Sequence, residues 1–406
     1  MASEDWAYMD SLRAPVYVSL RRKPSHQVGG LMPMVLDGRQ EWQHVPWSDA
    51  FVDIEGPIRQ PKEHPLTRFK MMHDDETLYV AAELIGPKVW GTITERNSTM
   101  YHENDFEVFF NPDGSRHHYY IENPSNLVSL RSAVFVDGVA NSPETECKRW
   151  RVELSWSLAE LQQFDRQRLR VLDETPSTVA GDVWRVNFSR VEYELGTVVK
   201  PETQQLQFQK VPDRREDNIV WAPTGVVDIH RPERWGYVYF SSQDELSGGE
   251  SELASAMSEF LEQQMAIESV LDAVYYAQRA FFEVHGAFAS TMERLYGGVS
   301  DSTEPLTAVE RTGLEAFPLW DVLHRYELSF PELSCKSDVV NKEPGVSTRS
   351  EGEDVKDSDV EPCPCPRSLE AQKLEAQGFS SNFTVSTGSA TQQWHLTHDG
   401  RLWRTT

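Results

Sequence analysis

The chain has 406 residues, with 64 acidic against 39 basic side chains and a formal charge of −25 at pH 7. Such a balance repels phosphate backbones and anionic lipid, so neither a nucleic acid nor a membrane surface is an expected partner. The length is ample for a buried core and for two domains, and four cysteines (Cys147, Cys335, Cys363, Cys365) supply neither a disulfide framework nor a paired metal motif.

In chain order, residues 1–30 read as a poorly ordered leader with one short extended piece, Val16 to Leu20. Its first ten residues have no basic patch followed by an apolar run, and no later stretch approaches the roughly 20 apolar residues needed to span a bilayer. A cytoplasmic location is the expectation. From 31 to 242 come short alternating or apolar runs: Phe69 to Met72, Thr77 to Leu84, Phe106 to Phe110, His118 to Ile121, Ala133 to Val136, Trp150 to Leu154, Val183 to Val191, Gln205 to Val211 and Tyr237 to Phe240. Turn signals such as Asp113-Gly114, Asp137-Gly138 and Gly196 separate them. This spacing predicts an antiparallel β-sandwich of jelly-roll or immunoglobulin-like type, with one surface helix from Ser157 to Phe164 capped by Ser157.

Residues 243–333 change period. Leu253, Met257, Phe260, Leu261, Leu271, Val274, Tyr275, Phe281 and Phe282 recur at helical spacing, Gly286 ends that helix, and Ala287 to Tyr296 reads as a second. The aromatic stripe is a packing surface, facing either the sandwich or another protein through the 251–296 helix. Residues 334–367 read as a disordered acidic linker. A helix over 368–377 and strands over Phe379 to Ser386 and Gln392 to Arg404, with a turn at Asp399-Gly400, are expected to return and pack on the helical extension.

The most informative segment is Tyr101-His-Glu-Asn-Asp-Phe-Glu-Val-Phe-Phe-Asn-Pro-Asp-Gly114. Side chains alternate along a strand, so Phe106, Val108 and Phe110 share one face while Asp105, Glu107 and Phe109 share the other. A carboxylate among aromatic rings suits a sugar: rings stack on its faces and the carboxylate accepts from its hydroxyls. An ordinary half-buried strand with a solvated acidic face fits the same pattern.

Further motifs surround that strand in order: Asp53-Ile-Glu-Gly56, Thr67 to Val80, Ala82-Glu-Leu84, Val89-Trp-Gly-Thr92, Gly181 to Glu192 and Val220 to Tyr237. Together they resemble the family-nine carbohydrate-binding modules, in particular the stand-alone family-9-like proteins, over about residues 31–242. The resemblance implies a non-catalytic sandwich that holds a saccharide, of glucan or xylan fragment type, between two aromatic side chains. It also implies an association with carbohydrate catabolic processes. Matched onto this sequence, Tyr101 stacks, Glu107 and Asn187 hydrogen-bond hydroxyls, and the second ring's place falls at Ile229 or His230. The loop carrying His230, Arg231 and Trp235 closes the slot. Among the tryptophans, Trp184 reads as core and Trp221 as lining the slot. Structural calcium is implied for oxygen-rich loops such as Asp37-Gly38, Asp53 to Glu55 and Asn111 to Gly114; no other cofactor is called for. The stretch after Asn126 is shorter than in relatives.

Two other readings stand beside this one. A sandwich that has lost its sugar site serves as a protein-interaction scaffold, or a glycoside hydrolase acts on O-glycosyl bonds. The hydrolase needs two carboxyls roughly 5–10 Å apart across the scissile bond. Glu103, Asp105, Glu107, Glu122 and Asp228 are available, but none lies in a hydrolase motif, so no catalytic residue is assigned. Met71, Met72 and His73 read as core and surface residues and not as haem ligands, because neighbouring strand residues point to opposite faces.

Overall fold

Among the described residues, alternation along the strands builds two packed sheets and a separate two-stranded hairpin from the first 240 positions. The computed structural model describes residues 8, 11–22, 40–59, 64–95, 98–116, 120–121, 128–162, 179–202, 204–244, 250–296, 319–334, 379–380, 383–388, 392–398 and 401–405. They divide into a sandwich unit, Ala7–Glu262, and a second unit over Gln263–Thr406.

The sandwich strands are β1 (Val16–Arg21), β2 (Val52–Asp53), β3 (Thr67–His73), β4 (Thr77–Ile85), β5 (Asp105–Asn111), β6 (Tyr120–Ile121), β7 (Arg131–Asp137), β8 (Arg149–Ser157), β9 (Val183–Glu192), β10 (Leu195–Val199), β11 (Leu206–Lys210), β12 (Asp217–Val220) and β13 (Gly236–Phe240). In one sheet β9 is central. One edge of β9 pairs with β5 along its length, and β5 pairs on with β6. The other edge is shared, its first half by β13 and its second half by β12. The second sheet runs β3-β4-β8-β7, all antiparallel. Strand β1 joins the two: Val16 to Ser19 run parallel to β13, then Leu20 and Arg21 run parallel to β3. A strand that switches sheets makes the corner of a sandwich.

The fold class is therefore the one the sequence predicts, mainly β, with a helix and hairpins at the C-terminal end. The inward rows are Phe106, Val108 and Phe110 on β5, Trp184, Val186 and Phe188 on β9, and Val238 and Phe240 on β13. They meet Phe69 and Met71 of β3, Val80, Ala82 and Leu84 of β4, and Trp150, Val152, Leu154 and Trp156 of β8. Phe69 and Phe188 stack across the interface with ring centroids 3.9 Å apart. Burying such a side chain contributes roughly 1.5–3 kcal/mol, so these rows dominate the unit's stability.

Two sequence readings need correction. Residues 1–30 are not all leader, because Val16–Arg21 is the corner strand, with Ser19 and Leu20 fully buried. The sandwich unit runs to Glu262 and not 242, since Met257, in the first half of the helix Glu250–His285, packs on Val18 and Leu20. The short helix over Leu158–Leu161 begins where expected, but Ser157 makes no side-chain cap bond.

Arg190 points inward at one end of the core, where its guanidinium donates to the Thr67 hydroxyl and the Ile85 carbonyl, each at 2.9 Å. It pairs with Glu192 at 2.6 Å. Asn187 and Ser189 consequently lie on the opposite, outer face.

The described helices are α1 (Gln40–Gln43), α2 (Leu158–Leu161), α3 (Glu250–His285), α4 (Met292–Tyr296) and α5 (Trp320–Arg325). In the second unit, Ile267, Val270, Leu271 and Val274 of α3 share a core with Phe288, Met292 and Leu323 and with strands β14 (Phe288–Ala289), β15 (Glu332–Ser334), β16 (Phe379–Ser380), β17 (Thr384–Gly388), β18 (Gln393–Thr397) and β19 (Leu402–Thr405). Gln278 brackets Ala289, donating to its carbonyl and accepting from its N–H. Gly286 ends α3 at φ +69, where its N–H bonds the Phe282 carbonyl. Where a second helix was expected, the chain makes β14 and then α4. The aromatic stripe packs within its own unit: Tyr275 lies 6.3 Å from Phe383, and Phe282 lies 4.7 Å from Phe288. The linker over 334–367 (beyond Ser334), the helix over 368–377 and the segment after Asn126 lie outside the described residues. Among the described residues no helix is long and apolar enough to cross a membrane, which says nothing about crossing by strands.

Candidate functional site

The alternation that sends Phe106, Val108 and Phe110 into the core turns Asp105, Glu107 and Phe109 to the outer face of the β5–β9 sheet. Register then fixes their neighbours. Glu107 sits opposite Ser189, Phe109 opposite Asn187, and Asp105 opposite Val191. Glu107 remains partly open to solvent, yet burial pushes its carboxyl up to about 7, while a hydrogen bond from the Ser189 hydroxyl acts in the other direction. Asp105 is buried, and its Oδ1 accepts from the Val191 N–H at 3.3 Å.

Two residues along the strand from Glu107, about 7 Å away, the Phe109 ring is fully buried on this face. It lies 5.6 Å from Trp235 and meets the His230 imidazole edge-on at 6.2 Å. The loop holding these rings is fixed by its own polar groups. Asp228 accepts from the His230 N–H and pairs with Arg231 at 3.2 Å, and the Trp235 indole N–H donates to the Ile229 carbonyl at 2.8 Å. Arg185 donates to the Trp235 carbonyl, with its guanidinium 3.7 Å over the Tyr237 ring. Trp235 is fully buried, whereas His230 is exposed. The ring that faces solvent at this end is the imidazole.

At the other end of β5, Tyr101 occupies the single turn Met100–His102 with its side chain 54% exposed. Its carbonyl accepts from the Tyr193 hydroxyl at 2.6 Å, and Asn104 accepts from the Tyr193 N–H. Tyr193 meets Trp90 edge-on at 6.2 Å and carries the Lys210 ammonium 3.5 Å over its ring. Sequence reading missed Trp90 and Tyr193. The available signal was Trp90 within Val89-Trp-Gly-Thr92, a motif quoted only for its resemblance.

The structure thus brings Glu107, Ser189, Phe109, His230 and Trp235 to one face, with Tyr101 beyond the start of the same strand. Two predicted residues take other positions. Trp221 does not line a slot: it is 4% exposed in the inter-sheet core, edge-on to Phe69 at 5.1 Å. Ile219 of β12 lies opposite the inward-facing Arg190, and Trp221, two residues on, shares that face, so alternation carries the indole into the sandwich. Asn187 is fully buried, and its amide is engaged by backbone. Its Oδ1 accepts from the N–H groups of Phe188 and Ala222, and its Nδ2 donates to the Ala222 carbonyl, each at 2.9 Å. With both carbonyl lone pairs used, Asn187 positions the strand exit at Ala222 and has no acceptor left for a hydroxyl.

The remaining carboxyls proposed for hydrolysis are also engaged. Glu103 accepts from Thr92 and Ile93; burial works to raise its carboxyl, but these donors prevail and hold it below the usual range. Asp228 holds its own loop, and Glu122 lies outside the described residues. The loops considered for calcium are turns that bond their own backbone. Asp53 Oδ1 accepts from the Glu55 N–H, and Asp113 Oδ1 accepts from the Asn111 amide and the Ser115 N–H. Asp37-Gly38 lies outside the described residues, among which no group of three or more His, Cys, Asp or Glu side chains fits a metal ion. Met71 is core, Met72 packs with Trp42 and Val45 on the other face, and His73 is not on the surface, being buried against Ser19 at 3.0 Å.

No family model and no curated protein matches the sequence. In structure the chain is similar to a carbohydrate-binding module of family 9 from Caldicellulosiruptor kristjanssonii in complex with glucose, at 15% identity and a TM-score of 0.34. The match covers 58% of this chain and 98% of that one. The same organism's module in complex with cellotriose matches at 14% identity and a TM-score of 0.33, covering 57% of this chain and 95% of the other.

Proposed function

We propose that this chain binds a saccharide of glucan or xylan fragment type and does not cleave it. What supports this is Glu107, a partly open carboxyl on the outer face, with the Ser189 hydroxyl opposite it and the Phe109 ring two residues along the strand. A carboxylate accepts two sugar hydroxyls, and Ser189 is a further hydroxyl partner beside it. Phe109 and Trp235, both buried, back His230, which offers the solvent-facing ring at one end, and Tyr101 offers a stacking ring at the other. Asn187 acts as a positioning residue beneath the site. Cleavage needs a second free carboxyl across the scissile bond, and the described neighbours of Glu107 spend theirs on backbone.

The test is a calorimetric titration with glucose, xylose and their di- and oligosaccharides, together with an assay for new reducing ends after long incubation. Saturable heat with no new reducing ends is the expected result. New reducing ends that disappear in Glu107→Gln would replace binding with hydrolysis.

A further inference from the structure

Strand β7, Arg131–Asp137, ends its sheet. Among the described residues it pairs with β8 alone, from Arg131 opposite Ser155 to Asp137 opposite Arg149. On its other side no described strand lies beside its row of backbone donors and acceptors. Edge strands are ordinarily blunted by a mid-strand charge, a proline or a bulge. This one reads Arg-Ser-Ala-Val-Phe-Val-Asp, with charges only at its two ends. Between them Val134 is 62% and Phe135 37% exposed.

The order of those charges selects an occupant. Set against a second copy of itself, antiparallel and centred on Val134, the strand places Arg131 opposite Asp137 of the partner subunit, twice by symmetry. Ser132 then faces Val136, Ala133 faces Phe135, and Val134 faces its own copy. Residues directly opposite share a face, so Ser132, Val134 and Val136 of both copies continue the core-facing side across the junction. A shift by one residue would turn one copy over, and a parallel pairing would set like charges side by side. The Arg131 side chain makes no ion pair or hydrogen bond with the described residues, while its backbone pairs with β8. Asp137 has a 3.7 Å contact with Arg149, which also holds Glu83 at 2.9 Å.

We propose that β7 is a dimerisation edge, at which two copies of this chain join their β8–β7 sheets through an antiparallel β7–β7 pair centred on Val134 and closed at each end by an Arg131–Asp137 ion pair. This stands independently of the saccharide reading.

Sedimentation equilibrium of the full chain, from micromolar to hundreds of micromolar, tests it. The wild type should pass from monomer to dimer as concentration rises. Arg131→Glu and Asp137→Arg should each weaken the dimer by about tenfold or more, since each sets two like-charge pairs across the junction. Mixing the two variants in equal amounts should restore dimer, because each introduced charge then meets its opposite; a folding defect in either variant could not produce that recovery. Val134→Lys, at the exposed centre of the edge, should abolish association while leaving the melting transition in place. A wild type that stays monomeric throughout, or a dimer indifferent to the charge swaps, overturns the proposal. So does failure of the mixture to recover.

Discussion

Replacing Glu107 with Gln removes a titrating proton while keeping the shape of the side chain and an amide oxygen to accept from the Ser189 hydroxyl. Burial pushes the carboxyl from an ordinary 4.5 up to about 7, a gap worth at most about 3 kcal/mol between its two protonation states. The folded protein holds this proton at pH values where the unfolded chain has released it. Wild-type stability is therefore full below about pH 4.5 and falls as pH rises through 7. Glutamine stays neutral, so the variant should match the wild type at pH 4.5 and exceed it by up to about 3 kcal/mol at pH 8. His73 titrates in the opposite sense: burial lowers it to about 4, so its contribution is present above pH 6.5 and lost as pH falls toward 4. It is common to both proteins and cancels in their difference. The assay is peptide-resolved hydrogen exchange on β5 and β9 at rising urea, which reads the sandwich unit separately from the second unit. Parallel pH profiles for the two proteins would refute the reasoning, as would a variant less stable at pH 8.

Other expectations follow from the same geometry. Asn187→Ala leaves the backbone groups of Ala222 without their buried partner and should cost about 2–4 kcal/mol, seen as lost exchange protection around Trp221. Arg190→Met strands Glu192, whose carboxyl burial already raises; the cost should be about 3–5 kcal/mol at pH 8 and smaller at pH 4, where that carboxyl is neutral, by urea denaturation. Gly236→Ala drives a methyl group into the Trp221 ring and to within 2.9 Å of the Pro15 carbonyl, and should lower the melting temperature through about 1–3 kcal/mol of overpacking. If the ionised form of Glu107 is the hydroxyl acceptor, saccharide affinity should rise with pH up to about 7 and level off above it, which calorimetry at pH 5.5, 6.5 and 7.5 would read.

Strand β5 was legible in the sequence because alternation is a local signal: Phe106, Val108 and Phe110 announce one face and thereby place Glu107 on the other. What the sequence withheld depends on partners distant along the chain. Val16–Arg21 reads as an isolated extended piece until β13 and β3 are seen on either side of it. Asn187 is visibly a polar residue in a core strand, but whether its amide meets a ligand or a backbone is decided by where Ala222 arrives. Trp221 shares the face of Ile219, and that face is known to be the inner one only once Ile219 is seen opposite Arg190 of β9. The Tyr193 and Trp90 rings carry no pattern of their own; the Asn104 and Tyr101 contacts bring Tyr193 to the start of β5. Helical spacing in α3 was evident, yet its apolar stripe did not say that its cover lay in the tail, where Phe383, Val385 and Leu396 supply it.

The most direct test of saccharide binding on the β5–β9 face is a calorimetric titration at pH 8 with the tightest-binding oligosaccharide. It would compare the wild type with Glu107→Gln, Tyr101→Ala and the distant control Phe135→Ala. Saturable heat in the wild type and the control, weakened about tenfold or more in the other two, is the predicted result. Heat that is absent from a cooperatively melting wild type, or indifferent to both site substitutions, would contradict it.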